Sequence, residues 1–210
     1  MKNLFEDYAI TLTNEEDTVL QEIRRETNLK ILMPRMLSGH FQGVLLEMIS
    51  KMIKPQNILE LGTFTAYSAI CLAKGLKING KLYTIEYNEE LEFYIKKNIK
   101  KANLHNKIKY YIGDALEIIP KLDIKFDLIF IDADKRDYLK YYNAIFDKIN
   151  NGGYIIVDNV FWNGKVLEEI KENDLYTKGV VELNNFIKTD NRVEKITLPI
   201  RDGLMILRKK

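Results

Sequence analysis

The 210-residue chain contains a single cysteine and two histidines. One cysteine cannot close an internal disulfide, so nothing in the sequence calls for an oxidising compartment. Cys71 lies between Ile70 and Leu72, the surroundings of a buried structural thiol and not of a nucleophile. His40 and His105 stand away from every expected strand end, and no Ser-His-Asp or Cys-His arrangement can be assembled around them. Net charge is also scarce. Lys+Arg 32 against Asp+Glu 30 leaves +2, too little by itself to argue for a nucleic-acid or membrane partner. Long apolar runs are missing. Leu128–Ile131 and Tyr154–Val157 are strand-sized and far short of a membrane span. Residues 1–30 carry Glu6, Asp7, Glu15, Glu16 and Asp17 and no apolar run of the secretory kind. No repeat, low-complexity segment or Pro/Gly/Ser-rich linker divides the chain. The expectation is one cytoplasmic domain over 1–210, with a helical N-terminal region (1–54) ahead of a core (55–210).

What is present fits a globular fold: 46% hydrophobic and 30% charged residues, with chain enough for a sizeable core. Thr13 and Glu16 have capping-box spacing, predicting a helix from there to about Asn28. A second helix is expected over Phe41 to Ile53, with Val44, Leu45, Met48, Ile49 and Met52 on one side. From Pro55 the pattern alternates. Strands are expected at Ile58–Leu61, Leu82–Ile85, Ile108–Ile112, Phe126–Ile131 and Tyr154–Val157. Helical stretches fall at Ala66–Leu76, Glu89–Ala102, Ala115–Ile119 and Tyr138–Ile149, with Asn79-Gly80 and Gly152-Gly153 marking returns to the sheet. A helix at Leu175–Lys188 precedes strands Val193–Leu198 and Leu204–Leu207, joined by a hairpin-length connection. The fold class is therefore α/β: a doubly wound, mostly parallel, seven-stranded Rossmann-like sheet with an antiparallel last strand. Ligands of such a sheet sit beyond the carboxyl ends of its strands.

Those ends carry the chemistry. The first strand leads into Glu60-Leu61-Gly62-Thr63-Phe64-Thr65-Ala66-Tyr67-Ser68, with one glycine where the dinucleotide pattern has three. Phe64 and Ala66 disfavour a diphosphate and tolerate a link without one, such as a methionine sulfonium; a plain strand-to-helix turn is the alternative. Glu86 ends the second strand, where a carboxylate accepts from the hydroxyls of an unphosphorylated ribose or simply starts a helix. Asp114, after the third, suits an adenine amino group or a helix N-cap. The fourth and fifth strands end in Asp132-Ala133-Asp134-Lys135 and Asp158-Asn159. On adjacent strands Asp132 and Asp158 repel each other, and a divalent cation resolves that conflict. An all-oxygen set points to Mg²⁺, or to Mn²⁺ or Ca²⁺, and away from structural zinc. The bland alternative pairs Asp132 with Lys135 and leaves Asp158 to cap a turn.

Four segments resemble the cation-dependent class I O-methyltransferases, which include the caffeoyl-CoA and catechol enzymes: Met36-Leu37-Ser38-Gly39, Ile58 through Ser68, Phe130 through Lys135, and Asp158 through Gly164. The resemblance covers nearly the whole chain. It implies that Asp132, Asp158 and Asn159 hold the metal, and that Met36, Ser38, Glu60, Gly62, Ser68, Glu86, Ala115 and Asp134 line S-adenosylmethionine (SAM). It also implies that Asn163 faces the acceptor and that Lys135 is the general base. Asp114 and Asp132 join the expected cosubstrate lining, and Asp132 the catalytic pair with Lys135. In the family the N-terminal residues shape the acceptor pocket, and homodimers are common; the N-terminal helices and Leu175–Lys188 are candidate dimer surfaces.

The expected reaction is metal-dependent methyl transfer to a hydroxyl of a small acceptor with vicinal oxygens, a catechol or a hydroxycinnamoyl ester. The alternative acceptor is 5-hydroxyuridine in transfer RNA. Lys96, Lys97, Lys100, Lys101, Lys107 and Lys109 could serve RNA, yet their spacing suits a solvated helix face. An NAD-dependent oxidoreductase on the same fold is the more remote alternative. Arg201 and Asp202, beside Gly203 in the last hairpin, either edge the acceptor pocket or form a plain turn, and the plain turn is the preferred reading.

Overall fold

Short runs of β-branched and aromatic residues become strands because a sheet covered on both faces can bury every side chain they carry. In the computed structural model, which describes residues 4–210, these runs are β1 (Asn57–Leu61), β2 (Lys81–Glu86), β3 (Ile108–Ile112), β4 (Phe126–Ile131), β5 (Ile149–Asp158), β6 (Val193–Leu198) and β7 (Leu204–Lys209). The sheet order is β3-β2-β1-β4-β5-β7-β6. The first five strands are parallel, and β7 runs antiparallel between β5 and β6. This is the doubly wound, mostly parallel architecture expected from the sequence.

The helices are α1 (Leu4–Thr11), α2 (Thr18–Lys30), α3 (Gly39–Ile53), α4 (Tyr67–Ala73), α5 (Glu92–Lys101), α6 (Ala115–Ile118), α7 (Tyr138–Phe146) and α8 (Leu175–Thr189). Two cores result, one on each face of the sheet, and alternate strand residues feed them. Ile58, Leu128, Phe130 and Ile156 pack with α2–α5, while Leu59, Leu61, Ile129, Ile131, Ile155 and Val157 pack with α6–α8.

Several local expectations are corrected. Thr13 caps nothing: its hydroxyl donates back to the Ala9 carbonyl at 2.8 Å, and Asp17 opens α2 by accepting from the Val19 N–H at 2.9 Å. Glu16 instead takes up Arg24 and the Tyr67 hydroxyl. The buried side of α3 is Gln42, Gly43, Leu46 and Ser50, while Met48 and Met52 of the expected stripe are 57% and 79% exposed. Close approach to α4 decides this. A Cβ on Gly43 would stand 2.8 Å from the Tyr67 ring, and Ser50 Oγ donates to the Leu72 carbonyl at 2.6 Å. Gly152-Gly153 lies inside β5 and not before it, with Gly152 at φ +78°, where the β4–β5 register shifts. Accordingly α7 stops at Phe146, and α4 stops at Ala73.

Candidate active site at the carboxyl ends of the strands

The turn after β1 is pressed against the end of β4. Gly62 has φ +95°, and a Cβ there would lie 2.1 Å from the Asp132 carbonyl oxygen, so only glycine allows this approach. Gly62 N–H donates to the Ile85 carbonyl and Asp132 N–H to the Leu61 carbonyl, both at 2.9 Å. The ends of β1, β2 and β4 are thereby stitched together. Glu86 joins the same crevice by accepting from the N–H groups of Phe64 at 2.7 Å and Asn88 at 3.0 Å.

Glu60 lies fully buried at the base of this crevice. Its Oε2 accepts from Thr84 Oγ1 at 2.6 Å, while Oε1 has no hydrogen-bond partner. Burial pushes its carboxyl up to about 8 against the opposing pull of the Ser68 and Thr84 hydroxyls, with Asp132 and Glu86 adding repulsion. A buried, unsatisfied acceptor of this kind suits a cationic donor such as an α-ammonium group. Ser38, Ser68 and Ala115 are buried, whereas Met36 is 58% exposed. Asp114 caps α6 by accepting from Leu116 N–H at 2.7 Å, which is the capping alternative read from the sequence. Asp134 caps the next turn through Arg136 N–H at 3.0 Å, and the Arg136 guanidinium holds it below the usual carboxylate range.

Ile131 of β4 pairs in register with Val157 of β5, so Asp132 and Asp158 leave the sheet side by side. Burial first, and the charge of Asp132 second, raise the Asp158 carboxyl above the usual carboxylate range. Lys135 Nζ donates to Asp132 Oδ1 at 2.7 Å. This lysine is buried and stands 5.0 Å from the Tyr138 ring centre; it is not a surface residue. Tyr138 in turn donates its hydroxyl to the Asp158 carbonyl at 3.0 Å. Asn159 adopts φ +57°, and its backbone N–H donates to Asp158 Oδ1 at 2.8 Å.

Among the described residues no cluster of three His, Cys, Asp or Glu forms a metal site. The arrangement here is two carboxylates at adjacent strand ends with Asn159 following in the chain, and the hard oxygen donors and mutual repulsion of the carboxylates suit Mg²⁺ or a similar ion.

One residue at this site, Gln42, was not read from the sequence. Gln42 of α3 donates Nε2–H to Asp158 Oδ2 at 2.7 Å. Arg201, expected in a plain turn or at the edge of the acceptor pocket, donates Nη1–H to Gln42 Oε1 at 2.6 Å and to the Ser38 carbonyl. Asp202 is likewise more than a turn residue, accepting from Asn163 N–H at 2.6 Å. The only sequence signal for Gln42 is a polar residue in an amphipathic helix, which does not say which face is buried. Asn163 (φ +54°) lines a cavity of about 990 Å³ between the 162–167 turn, α8 and the β6–β7 hairpin. Beside it Trp162 stacks on Tyr176, with ring centres 6.0 Å apart.

The sequence pattern of the family described as "O-methyltransferase" matches residues 10–210. The chain belongs to the O-methyltransferase family. Its enzyme class is the one expected from the motifs, SAM-dependent methyl transfer to oxygen. Caffeoyl-CoA O-methyltransferase 1 of Nicotiana tabacum is 35% identical over 179 residues, covering 80% of this chain and 75% of the tobacco protein. An O-methyltransferase from Bacillus cereus, crystallised with SAH, superimposes with a TM-score of 0.91 at 28% identity, covering 99% of this chain and 97% of the other. The O-methyltransferase TomG of Streptomyces achromogenes, in complex with SAM, gives 0.90 at 26% identity over 99% and 96%. Nothing supports the oxidoreductase alternative for this methyltransferase.

Proposed function

We propose that this O-methyltransferase moves the methyl group of SAM to one hydroxyl of a small acceptor with two vicinal oxygens, a catechol or hydroxycinnamoyl ester, with a divalent cation, in first place Mg²⁺, as cofactor. The reading is supported by Asp132 and Asp158 standing at the ends of adjacent, in-register strands, with Asn159 next in the chain and Lys135 hydrogen-bonded to Asp132. Asp132, Asp158 and Asn159 are the residues to hold the cation. SAM would lie along the ends of β1 to β4, where the free acceptor of Glu60 and the close turn at Gly62 suit its methionine part, the α-ammonium included. Met36, Ser38, Ser68, Glu86, Asp114, Ala115 and Asp134 complete the proposed lining.

When bound, the ion would supply Lewis acidity toward a hydroxyl and its neighbouring oxygen. SAM supplies an electrophilic methyl, so the protein needs no nucleophile of its own. Lys135 is the proton acceptor in this reading, buried and within hydrogen-bond reach of Asp132. Asn163, which lines the cavity beyond the end of β5, is the residue proposed to face the acceptor. Alignment of hydroxyl and methyl by these fixed groups supplies much of the acceleration.

A small acceptor fits better than RNA. Lys97 and Lys101 of α5 are paired with Glu26 and Glu22 of α2, which removes part of the charge an RNA surface needs. No helix among the described residues is long and apolar enough to cross a membrane. The cytoplasm is the proposed compartment. Exposed Phe5, Tyr8 and Leu12 near α1 support a homodimer as the assembly. The deciding experiment is a methyl-transfer screen with labelled SAM against catechols, hydroxycinnamoyl esters and bulk transfer RNA, with and without magnesium. Label in a small diol only when magnesium is present supports the reading. Label in RNA alone, or transfer undiminished in chelator, would overturn it.

A further inference from the structure

Gln42 and Asp158 lie 116 positions apart in the chain, yet the amide of one closes on the carboxylate of the other deep in the protein. Gln42 is 2% exposed and Asp158 4%. A buried carboxylate facing a second carboxylate lowers its energy by rotating away or by taking up a proton. Two donors oppose rotation here: Gln42 Nε2–H on Oδ2 and Asn159 N–H on Oδ1. Each oxygen of Asp158 then keeps a lone pair uncommitted.

A primary amide works this way in only one of its two orientations. Flipped by 180°, Gln42 would turn its own carbonyl toward the carboxylate. Arg201 decides the orientation because a guanidinium only donates. Its Nη1–H engages Gln42 Oε1 at 2.6 Å, and its other contacts are to the carbonyls of Ser38 and Leu37. The β6–β7 hairpin, the start of α3 and the end of β5 thus meet in one directed chain of hydrogen bonds, Arg201 to Gln42 to Asp158.

We propose that Gln42 is a positioning residue for the cation ligand Asp158, and that Arg201 positions Gln42. The inference rests on the metal reading above and extends it to two residues that would not touch the ion. Outer hydrogen bonds of this kind orient ligands and tune affinity.

The test is Mn²⁺ binding to the intact, acceptor-free protein, followed by electron paramagnetic resonance, in wild type, Gln42→Leu, Arg201→Met, Arg201→Lys and the double variant Gln42→Leu/Arg201→Met. Gln42→Leu should raise the Mn²⁺ dissociation constant roughly 10- to 100-fold, with SAM affinity and circular dichroism unchanged. Arg201→Met should weaken Mn²⁺ binding less, and Arg201→Lys should recover part of that loss. The double variant should bind no worse than Gln42→Leu alone, because both act through one chain. A merely structural role would lower the melting temperature and leave Mn²⁺ affinity unmoved; wild-type affinity in folded Gln42→Leu overturns the proposal. If Gln42→Leu does not fold, Arg201→Met decides by the same criterion. Failure of wild type itself to bind Mn²⁺ removes the metal reading first, and is distinguished because no variant is needed to see it.

Discussion

Lys135 Nζ sits 2.7 Å from Asp132 Oδ1, joining two side chains three residues apart at the end of β4. That single contact contains both sequence readings of Asp132: it is the lysine's ion-pair partner, and it stands at the strand end beside Asp158. A buried ion pair leaves an uncompensated charge when one member is removed, so a conservative change at Lys135 has consequences for chemistry and for fold that can be measured apart.

Lys135→Met should lower kcat by about 10²- to 10⁴-fold, the range for loss of a positioned general base. SAM affinity measured by calorimetry should stay close to wild type. Lys135→Arg should not restore turnover, since arginine keeps its proton at all accessible pH. Wild-type kcat in either variant would remove Lys135 from the reaction.

Asp158→Ala with Asn159→Ala should reduce methyl transfer by roughly 10³-fold or more, the equivalent of losing several kcal/mol of electrostatic assistance. SAM binding should persist, because the proposed SAM residues lie along the ends of β1 to β4. Full activity of this double variant in the presence of chelator would show that these side chains hold no catalytic ion.

Gly62→Ala would bring a methyl group to within 2.1 Å of the Asp132 carbonyl oxygen at a φ of +95°. The loss should be at least about 2 kcal/mol, or ~4–8 °C in melting temperature for a chain of this size. Activity should fall further than stability alone explains, because the displaced carbonyl belongs to Asp132. A melting temperature equal to wild type would contradict the close approach.

Glu60 gives a pH dependence with a defined sign. Its carboxyl rises from an ordinary 4.5 to about 8 on folding, chiefly through burial. Between those values the folded protein holds a proton that the unfolded chain has released, so this group's contribution to stability declines as pH rises from about 4.5 to about 8. Glu60→Gln, assayed without SAM, should therefore melt higher than wild type at pH 8, by at least about 2–4 °C for each kcal/mol removed. The gap should close toward pH 4.5. A gap that does not change with pH would mean that Glu60 ionises normally in the fold.

Strand limits were largely legible because a doubly covered sheet demands short apolar runs, and Ile108–Ile112, Phe126–Ile131 and Val193–Leu198 fall where the sequence puts them. The positions of the two carboxylates were legible for the same reason: strand ends of a parallel sheet are fixed points, and Asp132 follows the last residue of β4 while Asp158 is the last residue of β5. Thr13 misled because capping-box spacing does not say whether a helix has already begun, and Asp17, nearer α2, takes the cap. The α3 stripe misled because hydrophobicity does not report clearance. Tyr67 and Leu72 on α4 favour a small residue and a hydrogen-bonding one opposite them, and Gly43 and Ser50 fill those places while Met48 and Met52 face outward.

The sequence by itself determined the order of elements, the two-faced sheet and the residue types at each strand end, since these follow from periodicity and local chemistry along a short stretch of chain. Only the tertiary structure decided which distant side chains meet there. Gln42 reaches Asp158 across 116 positions of chain and Arg201 reaches Gln42 across 159, and Gly62 is pressed onto Asp132 by β1–β4 pairing. Contacts of that kind depend on how helices dock on a finished sheet, a property of packing that no local pattern encodes.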